Sequence, residues 1–411
     1  MSITVTQLPS SASLSQSPII FGFKETDAVI TSSSFQYMLD LTYWTGSMSN
    51  SGSTPDYTLV KYPNNSDAGL FDVSRIMNSE LNTLAETPII SNAKWFKARL
   101  YWQYLDGSTY VTSSGVTYPQ GMQPYYALDG YQLFPEQINA IITGSTYTNF
   151  GYNTWPLMTD GPLTQSILPD SYNTNTFFLG NAGAEKKPDT FLVETSNGST
   201  FLYSLNGLSS GSSNEQIVIT NTSPSIFAYN TLPFEWYRVQ PSKYTGVGSF
   251  YEPLGEGIRY EVKCQQKYPN IRIKWKNRFG EFDWFDFDMV NTQNFQVNRS
   301  QYQPQIGDWN ANSLSYKPYD SSIINYLVDT KQSISVNTDW VNEDYNAIFK
   351  QLLVSDEIYW INNPAIYEPQ YDGFTPITIK TETIQFKTGV VDKVIQYSFE
   401  FDYGQSYKLI L

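Results

Sequence analysis

The chain has 411 residues, with 39 Asp and Glu against 25 Lys and Arg, no His and one Cys, and a formal net charge of −14. The lack of histidine excludes imidazole acid–base chemistry, Ser-His-Asp triads and His-ligated zinc, and Cys264 alone forms no internal disulfide and no thiolate cluster, so it reads as a packing residue. The acidic balance disfavours nucleic-acid contact, and 16% aromatic with only 16% charged residues argues for folded structure rather than disorder.

Taken in chain order, residues 1–115 read as a β-sandwich. Ile3–Val5, Ile19–Phe23 and Thr58–Tyr62 are short strands. Phe35–Tyr43 and Phe96–Tyr104 alternate apolar and polar residues with period two over nine positions, the mark of a half-buried strand. Asp106-Gly107 offers a tight turn into Thr109–Thr112. One helix interrupts the set. Asp72 is placed to cap Val73–Leu84, where Val73, Ile76, Met77, Leu81 and Leu84 fall on one stripe.

Residues 116–232 read as a second β-rich domain with long polar loops. It begins with a Tyr/Pro/Gln-rich connector carrying one apolar patch, Ile138–Ile142. Thr190–Thr195 and Thr200–Ser204 flank Asn197-Gly198, a hairpin signal, and Gln216–Asn221 adds a strand. Ser209–Asn214 reads as a loop tip.

Residues 233–411 read as a C-terminal α+β domain. Ile258, Tyr260 and Val262 alternate with charged residues, as do Ile271, Ile273 and Trp275, and Arg278-Phe279-Gly280 turns the chain into Phe282–Met289. The pattern predicts one amphipathic helix, Trp340–Val354, with Asp339 as its N-cap, and then two strands, Ile377–Lys387 and Val394–Tyr403. The fold class is therefore mainly β: two immunoglobulin-, fibronectin- or jelly-roll-like sandwiches plus a C-terminal domain with one helix. No apolar run reaches 18 residues, so no membrane insertion is expected. Met1-Ser2-Ile3-Thr4 lacks the basic start and apolar run of a signal peptide, so synthesis in a cytoplasm is expected.

Few constellations invite chemistry. Asp283, Asp286 and Asp288, with Glu281, suit a hard cation such as Ca²⁺ or an acid/base pair. Their spacing is not that of an EF-hand loop, and bulky aromatics separate them. The favoured reading is a strand with a wet acidic face that pairs with Arg272, Lys274 and Lys276 on its neighbour. Lys274, Lys276 and Arg278 beside Trp275 interleave charge and aromatics as nucleic-acid binders do, and a local charge match is the favoured explanation. Tyr101-Trp102, Phe234–Tyr237 and Tyr359-Trp360 suit either sugar stacking or a core. No phosphate-cradling Gly loop, dinucleotide fingerprint or nucleophile elbow is present. No catalytic, cofactor-binding or metal-binding residue is assigned, and no enzyme is expected.

Three stretches carry a resemblance. The first is FQYMLDL at Phe35–Leu41, KYPNN at Lys61–Asn65 and GLFDVSRI at Gly69–Ile76. The second is IRIKWKNRFGEFDWFDF at Ile271–Phe287. The third is TDWVNEDY at Thr338–Tyr345, QLLVSDEIY at Gln351–Tyr359, TPITI at Thr375–Ile379 and YSFEF at Tyr397–Phe401. Their order and spacing resemble virion structural proteins of tailed bacteriophages, such as those of crAss-like and related short-tailed phages. The resemblance implies a ring, adaptor or tail subunit of the portal–tail region, located in the virion and partnered by copies of itself, six or twelve to a ring, and by neighbouring virion proteins. It transfers no functional residues. The alternative is a fibre, head-decoration or receptor-binding protein that grips host glycans, for which a row of exposed Tyr or Trp on 144–232 is the distinguishing feature. A glycan depolymerase built on paired carboxylates is a further rival.

Overall fold

The computed structural model describes residues 3–25, 32, 34–45, 52, 54–82, 93–120, 124–133, 157–178, 190–204, 217–227, 233–244, 251–253, 255–263, 268–307, 309–310, 312–315, 317, 319–361, 373–386 and 395–404. Cys264, the patch Ile138–Ile142 and the loop Ser209–Asn214 lie outside these residues.

Strands β1 (Ile3–Gln7), β2 (Ala12–Leu14), β3 (Ile20–Glu25), β4 (Gln36–Trp44), β5 (Tyr57–Lys61) and β6 (Ala68–Asp72) precede helix α1 (Ser74–Asn82). After it come β7 (Ala93–Asp106), β8 (Thr109–Thr112), β9 (Val116–Tyr118) and β10 (Tyr125–Leu128). A small sheet of order β1-β3-β6 faces a larger one of order β2-β10-β7-β4-β5, with β8 and β9 also paired to β7. The period-two pattern sets the register. β4 and β7 run antiparallel from Gln36 opposite Gln103 to Trp44 opposite Trp95. Tyr37, Leu39, Leu41, Phe96, Ala98, Leu100 and Trp102 thereby meet Phe21, Phe23 and Phe71 of the small sheet. Each such side chain contributes about 1.5–3 kcal/mol by leaving water. Val73, Met77 and Leu81 close the core beside α1, and Asp72 Oδ1 accepts the Ser74 N–H (2.9 Å) as the expected cap. Gly107 has φ +64°, as the β7–β8 turn requires.

The second group holds β11 (Thr164–Ile167), β12 (Thr174–Phe178), β13 (Thr190–Thr195), β14 (Thr200–Ser204), β15 (Ile217–Asn221), β16 (Trp236–Tyr244), β17 (Tyr251–Pro253) and β18 (Ile258–Val262). A sheet of order β11-β18-β16-β13-β14, with β17 on β16, accompanies the antiparallel pair β12-β15. Phe177 packs with Phe191, Val193, Tyr237, Val239 and Tyr260 in the core of this group.

The third group is one sheet of β19 (Ile271–Lys276), β20 (Phe282–Phe287), β21 (Thr292–Tyr302), β22 (Ile324–Asn337), β23 (Ile358–Ile361), β24 (Phe374–Ile379) and β25 (Ser398–Tyr403), in the order β20-β19-β23-β24-β25-β22-β21. Helix α2 (Asn346–Val354) lays Ile348, Phe349 and Leu352 on Ile273, Trp275, Phe287, Ile334 and Phe399. Among the described residues, no helix is long and apolar enough to cross a membrane.

Several expectations need correction. The C-terminal helix does not begin at Trp340. Val341 N–H and C=O both pair with Ile395, so the backbone is extended there, and only a 3₁₀ turn (Glu343–Tyr345) precedes α2. Asp339 is therefore no helix cap: its Oδ1 accepts the Trp340 N–H and its Oδ2 meets Lys263 (3.3 Å). The strand expected over Ile377–Lys387 is displaced to β24 and ends at Ile379. Of the strand expected over Val394–Tyr403, Ser398–Tyr403 is strand and Val394 lies outside the described residues. Strand pairing also crosses both expected domain borders: β10 joins β2 and β7, and β16 and β18 join β13 and β11.

Candidate functional site

Two features depart from an ordinary β protein. The first is buried charge on β19 and the turn after it. Alternation turns Ile271, Ile273 and Trp275 into the α2 core, which commits Arg272, Lys274 and Lys276 to the opposite face. That face is covered by residues 171–173, by Asp129 and by rings of β20, β23 and β24, and all six residues of β19 are buried.

Each cation finds its own compensation there. Arg272 lies opposite Asp286 on β20, and its Nη1 meets Asp286 Oδ2 at 2.6 Å with both side chains buried. Its Nε donates to the Tyr172 carbonyl (2.7 Å), and its Nη2 donates to Asn173 Oδ1 (2.9 Å). Asp286 also accepts from Ser171 Oγ (3.1 Å) and Asn270 Nδ2 (2.7 Å). A buried pair with its remaining donors and acceptors occupied is the arrangement that offsets desolvation. Lys274, 1% exposed, sits among four rings: Phe374 at 4.1 Å, Phe282 at 4.3 Å, Tyr359 at 5.2 Å and Trp284 at 5.4 Å. Burial lowers its ammonium to about 7, with the charge of Glu357 opposing. Lys276 donates to Asp129 (2.5 Å) and Glu357 (3.2 Å). Burial disfavours its charge, but Asp129 and Glu357 outweigh this and hold it above the usual lysine range. Arg278 grips Asp160 through Nε and Nη2, and Gln351 Nε2 donates to the same carboxylate (2.6 Å).

The turn Asn277–Glu281 locks this together. Asn277 Oδ1 accepts the N–H of Phe279 (3.0 Å) and of Glu281 (3.2 Å), and its Nδ2 donates to the Met158 carbonyl (2.8 Å). Tyr131 N–H donates to the Arg278 carbonyl (2.8 Å). Gly280 has φ +82°, and a Cβ there would collide with the Asp129 carbonyl, as one on Gly130 would with the Arg278 carbonyl. Contacts from 129–131, from 157–176 and from α2 thus converge on one turn.

Along the outer edge of β20 lies a cavity of about 20 Å³, lined by Thr159, Asn173, Asn175, Thr176, Asp283 and Ile348 among others. That is room for about one water. Asp283 Oδ2 and Asn175 Nδ2 are buried there without hydrogen-bond partners. Burial raises the Asp283 carboxyl to about 7, although hydrogen bonds from Thr159 and Asn277 act the other way.

The acidic row is therefore not the wet face expected from the sequence. The four carboxylates also do not converge: Asp286 belongs to Arg272, Asp288 to Lys263 (2.5 Å), Glu281 to Thr176 Oγ1 (3.0 Å) and Asp283 to the cavity. Among the described residues, no group of three His, Cys, Asp or Glu gathers as metal ligands do. The stripe Lys274, Lys276, Arg278 is buried and presents nothing to a nucleic acid. Trp102, Phe234 and Tyr237 are core residues. Chemically this hub compensates its own charges and fixes the three groups of strands against one another.

The second feature is an arm. β21 and β22 pair antiparallel from Thr292 opposite Ser335 to Tyr302 opposite Ile324. Among the described residues, the base of β22 packs into the body through Ile334 and Val336, and Lys331 reaches Asp402 of β25 (2.7 Å). Beyond it nearly every side chain is exposed, including Phe295, Tyr302, Tyr326 and Leu327, and the connecting segment exposes Trp309 (63%), Leu314 and Tyr319 (77%). Neither half is expected as a strand from the sequence. The available signal was two β-prone runs, 292–297 and 323–328, on either side of a stretch rich in Gly, Pro, Asn and Ser.

No protein-family model matches the sequence, and a search of curated proteins finds no match.

Proposed function

We propose that this chain is a structural subunit of a tailed-bacteriophage virion, a ring, adaptor or tail component of the portal–tail region that works through protein–protein contacts. One observation carries the reading: the β21–β22 arm keeps most of its side chains exposed, among them Tyr302, Tyr326 and Leu327. A two-stranded ribbon is marginal in water by itself, and exposed apolar surface of this extent marks an interaction site. The hub supplies the complementary property, a body whose sheets are pinned together and can transmit force without sliding.

The resemblance noted in the sequence supports the same reading, and its stretches fold into core elements: β4, β6 with α1, β19 with β20, α2 with β23, then β24 and β25. The glycan-binding alternative draws less support. Among the described residues of 144–232, Phe177, Phe178, Phe191 and Phe227 are buried and Tyr203 is the one exposed aromatic ring, so no aromatic row forms there.

The test is mass spectrometry of intact particles from a phage that encodes the chain, with mass photometry and negative-stain imaging of the purified chain. The chain is expected in the particles in fixed proportion to the other virion proteins, and as a discrete assembly of six or twelve copies when purified or when mixed with its virion neighbours. Its absence from the particles overturns the proposal.

A further inference from the structure

We infer that the open edge of β21 pairs antiparallel with β21 of a second copy, in register about Val297, so that two arms merge into one four-stranded sheet. The inference rests on the assembly reading above and names the partner and the contact.

Among the described residues β21 is the last strand of its sheet, and one side of its eleven residues has no neighbouring strand there. Such an edge is a template for another strand, and proteins that must avoid pairing guard it with Lys, Pro or a bulge. β21 contains no Lys and no Pro. The irregularity in the ribbon lies where Ser300 and Gln301 pair with Leu327 and Asn325, which leaves Tyr326 as the extra residue on β22, so β21 itself stays regular.

The sequence of β21 is complementary to itself about Val297. An antiparallel copy with Val297 facing Val297 sets Phe295 against Arg299 of the other copy, and Arg299 against its Phe295. Gln293 then faces Gln301, Asn294 faces Ser300 and Gln296 faces Asn298. The only charged residue of the strand thus meets an aromatic ring rather than its own like charge, a favourable cation–π geometry. One face of the joined sheet carries Phe295 and Val297 from both copies, and the other carries an amide row. A contact in which the same patch serves both partners is the isologous form that two-fold pairing requires.

Charge and size point to the same occupant. Residues 290–337 hold three cations (Arg299, Lys317, Lys331) and three anions (Asp308, Asp320, Asp329), hence no net charge in a chain of −14. The arm is where two acidic copies meet without repulsion. Its eleven-residue edge is about twice the usual strand length, which gives the joined pair a long row of backbone hydrogen bonds.

The experiment uses the full chain and two variants, Val297→Asp and Val297→Lys, followed by analytical ultracentrifugation and mass photometry, with circular dichroism to show that each variant is folded. Wild type is expected to show an even-numbered association. Either variant alone places like charges at the two-fold axis and is expected to weaken that association about 100-fold. An equimolar mixture of the two is expected to restore it. Association of Val297→Asp at the wild-type concentration overturns the inference, as does failure of the mixture to recover. A wild-type chain that stays monomeric at micromolar concentration also overturns it. These outcomes leave the virion reading to be decided separately by the content of intact particles.

Discussion

Strand β19 and the β21–β22 arm belong to one sheet and reverse the usual distribution of charge. β19 has three cations in six residues, and all six are buried. β21 has one cation in eleven residues, and nine of them are exposed. Charged side chains are seldom buried unless paired, and exposed strands seldom dispense with charge. The difference teaches that the two ends of the sheet serve different contacts. At β19 the partners are inside the chain, so polar groups are spent on fixing one arrangement of three groups of strands. At the arm the partner proposed above is a second copy, and the surface is neutral and exposed.

The largest expected effect breaks the hub. Asp286→Ala leaves Arg272 buried without its carboxylate, and removal of one partner of a buried pair costs about 3–5 kcal/mol. Urea or thermal unfolding measures the loss. A cost below about 1 kcal/mol would mean that the pair is hydrated and the hub is no hub. Gly280→Ala comes next, at about 2–3 kcal/mol. It adds strain at φ +82° to a collision with the Asp129 carbonyl, and the same unfolding curves read it.

The third prediction concerns pH. Asp283 is raised to about 7 from an ordinary 3.8, so its contribution to stability is complete below pH 3.8 and is lost as pH rises through about 7. Lys274 is lowered from 10.5 to about 7, so its contribution is present above pH 10.5 and is lost as pH falls through about 7. The two slopes have opposite sign and meet near neutrality, where their joint contribution is least. Asp283→Asn is expected to gain about 1–2 kcal/mol on wild type between pH 5 and pH 8. Lys274→Met is expected to be the more stable chain at pH 7 and to lose that advantage toward pH 10. Unfolding midpoints across this range that run parallel for wild type and both variants would remove the hub's titratable character.

How much of this was legible depends on how local each cause is. β4 and β7 were, because period two and a buried face leave one register. The hairpin at Asn197-Gly198 was as well, since the three-residue turn Ser196–Gly198 needs a positive φ at its last position, which Gly198 supplies at +77°. The pairing of Arg272 with Asp286 followed from alternation across a short turn. Its burial did not follow, because the covering residues Ser171, Tyr172 and Asn173 lie about a hundred positions away. The false start of the last helix has the same origin: Ile395, far downstream, claims the backbone of Val341. The arm escaped because Phe295 and Val297 are the only aliphatic or aromatic side chains between Thr292 and Gln301, too few to mark a face.

The smallest expected effect is the sharpest test of the contrast. Phe295 is 50% exposed on the arm, so Phe295→Ser removes at most half of a buried ring, and the unfolding free energy is expected to fall by less than about 1 kcal/mol. In the pairing proposed above, an aromatic anchor opposite Arg299 of another copy counts for more than its burial in the isolated chain suggests. Measured side by side, Asp286→Ala should lower the unfolding midpoint and Phe295→Ser should lower mainly the assembled fraction. If Phe295→Ser instead cost about 2 kcal/mol of stability, the arm would be folded back on its own body. The exposed apolar surface would then be an internal contact, and the division between a hub that holds the chain and an arm that reaches beyond it would fall.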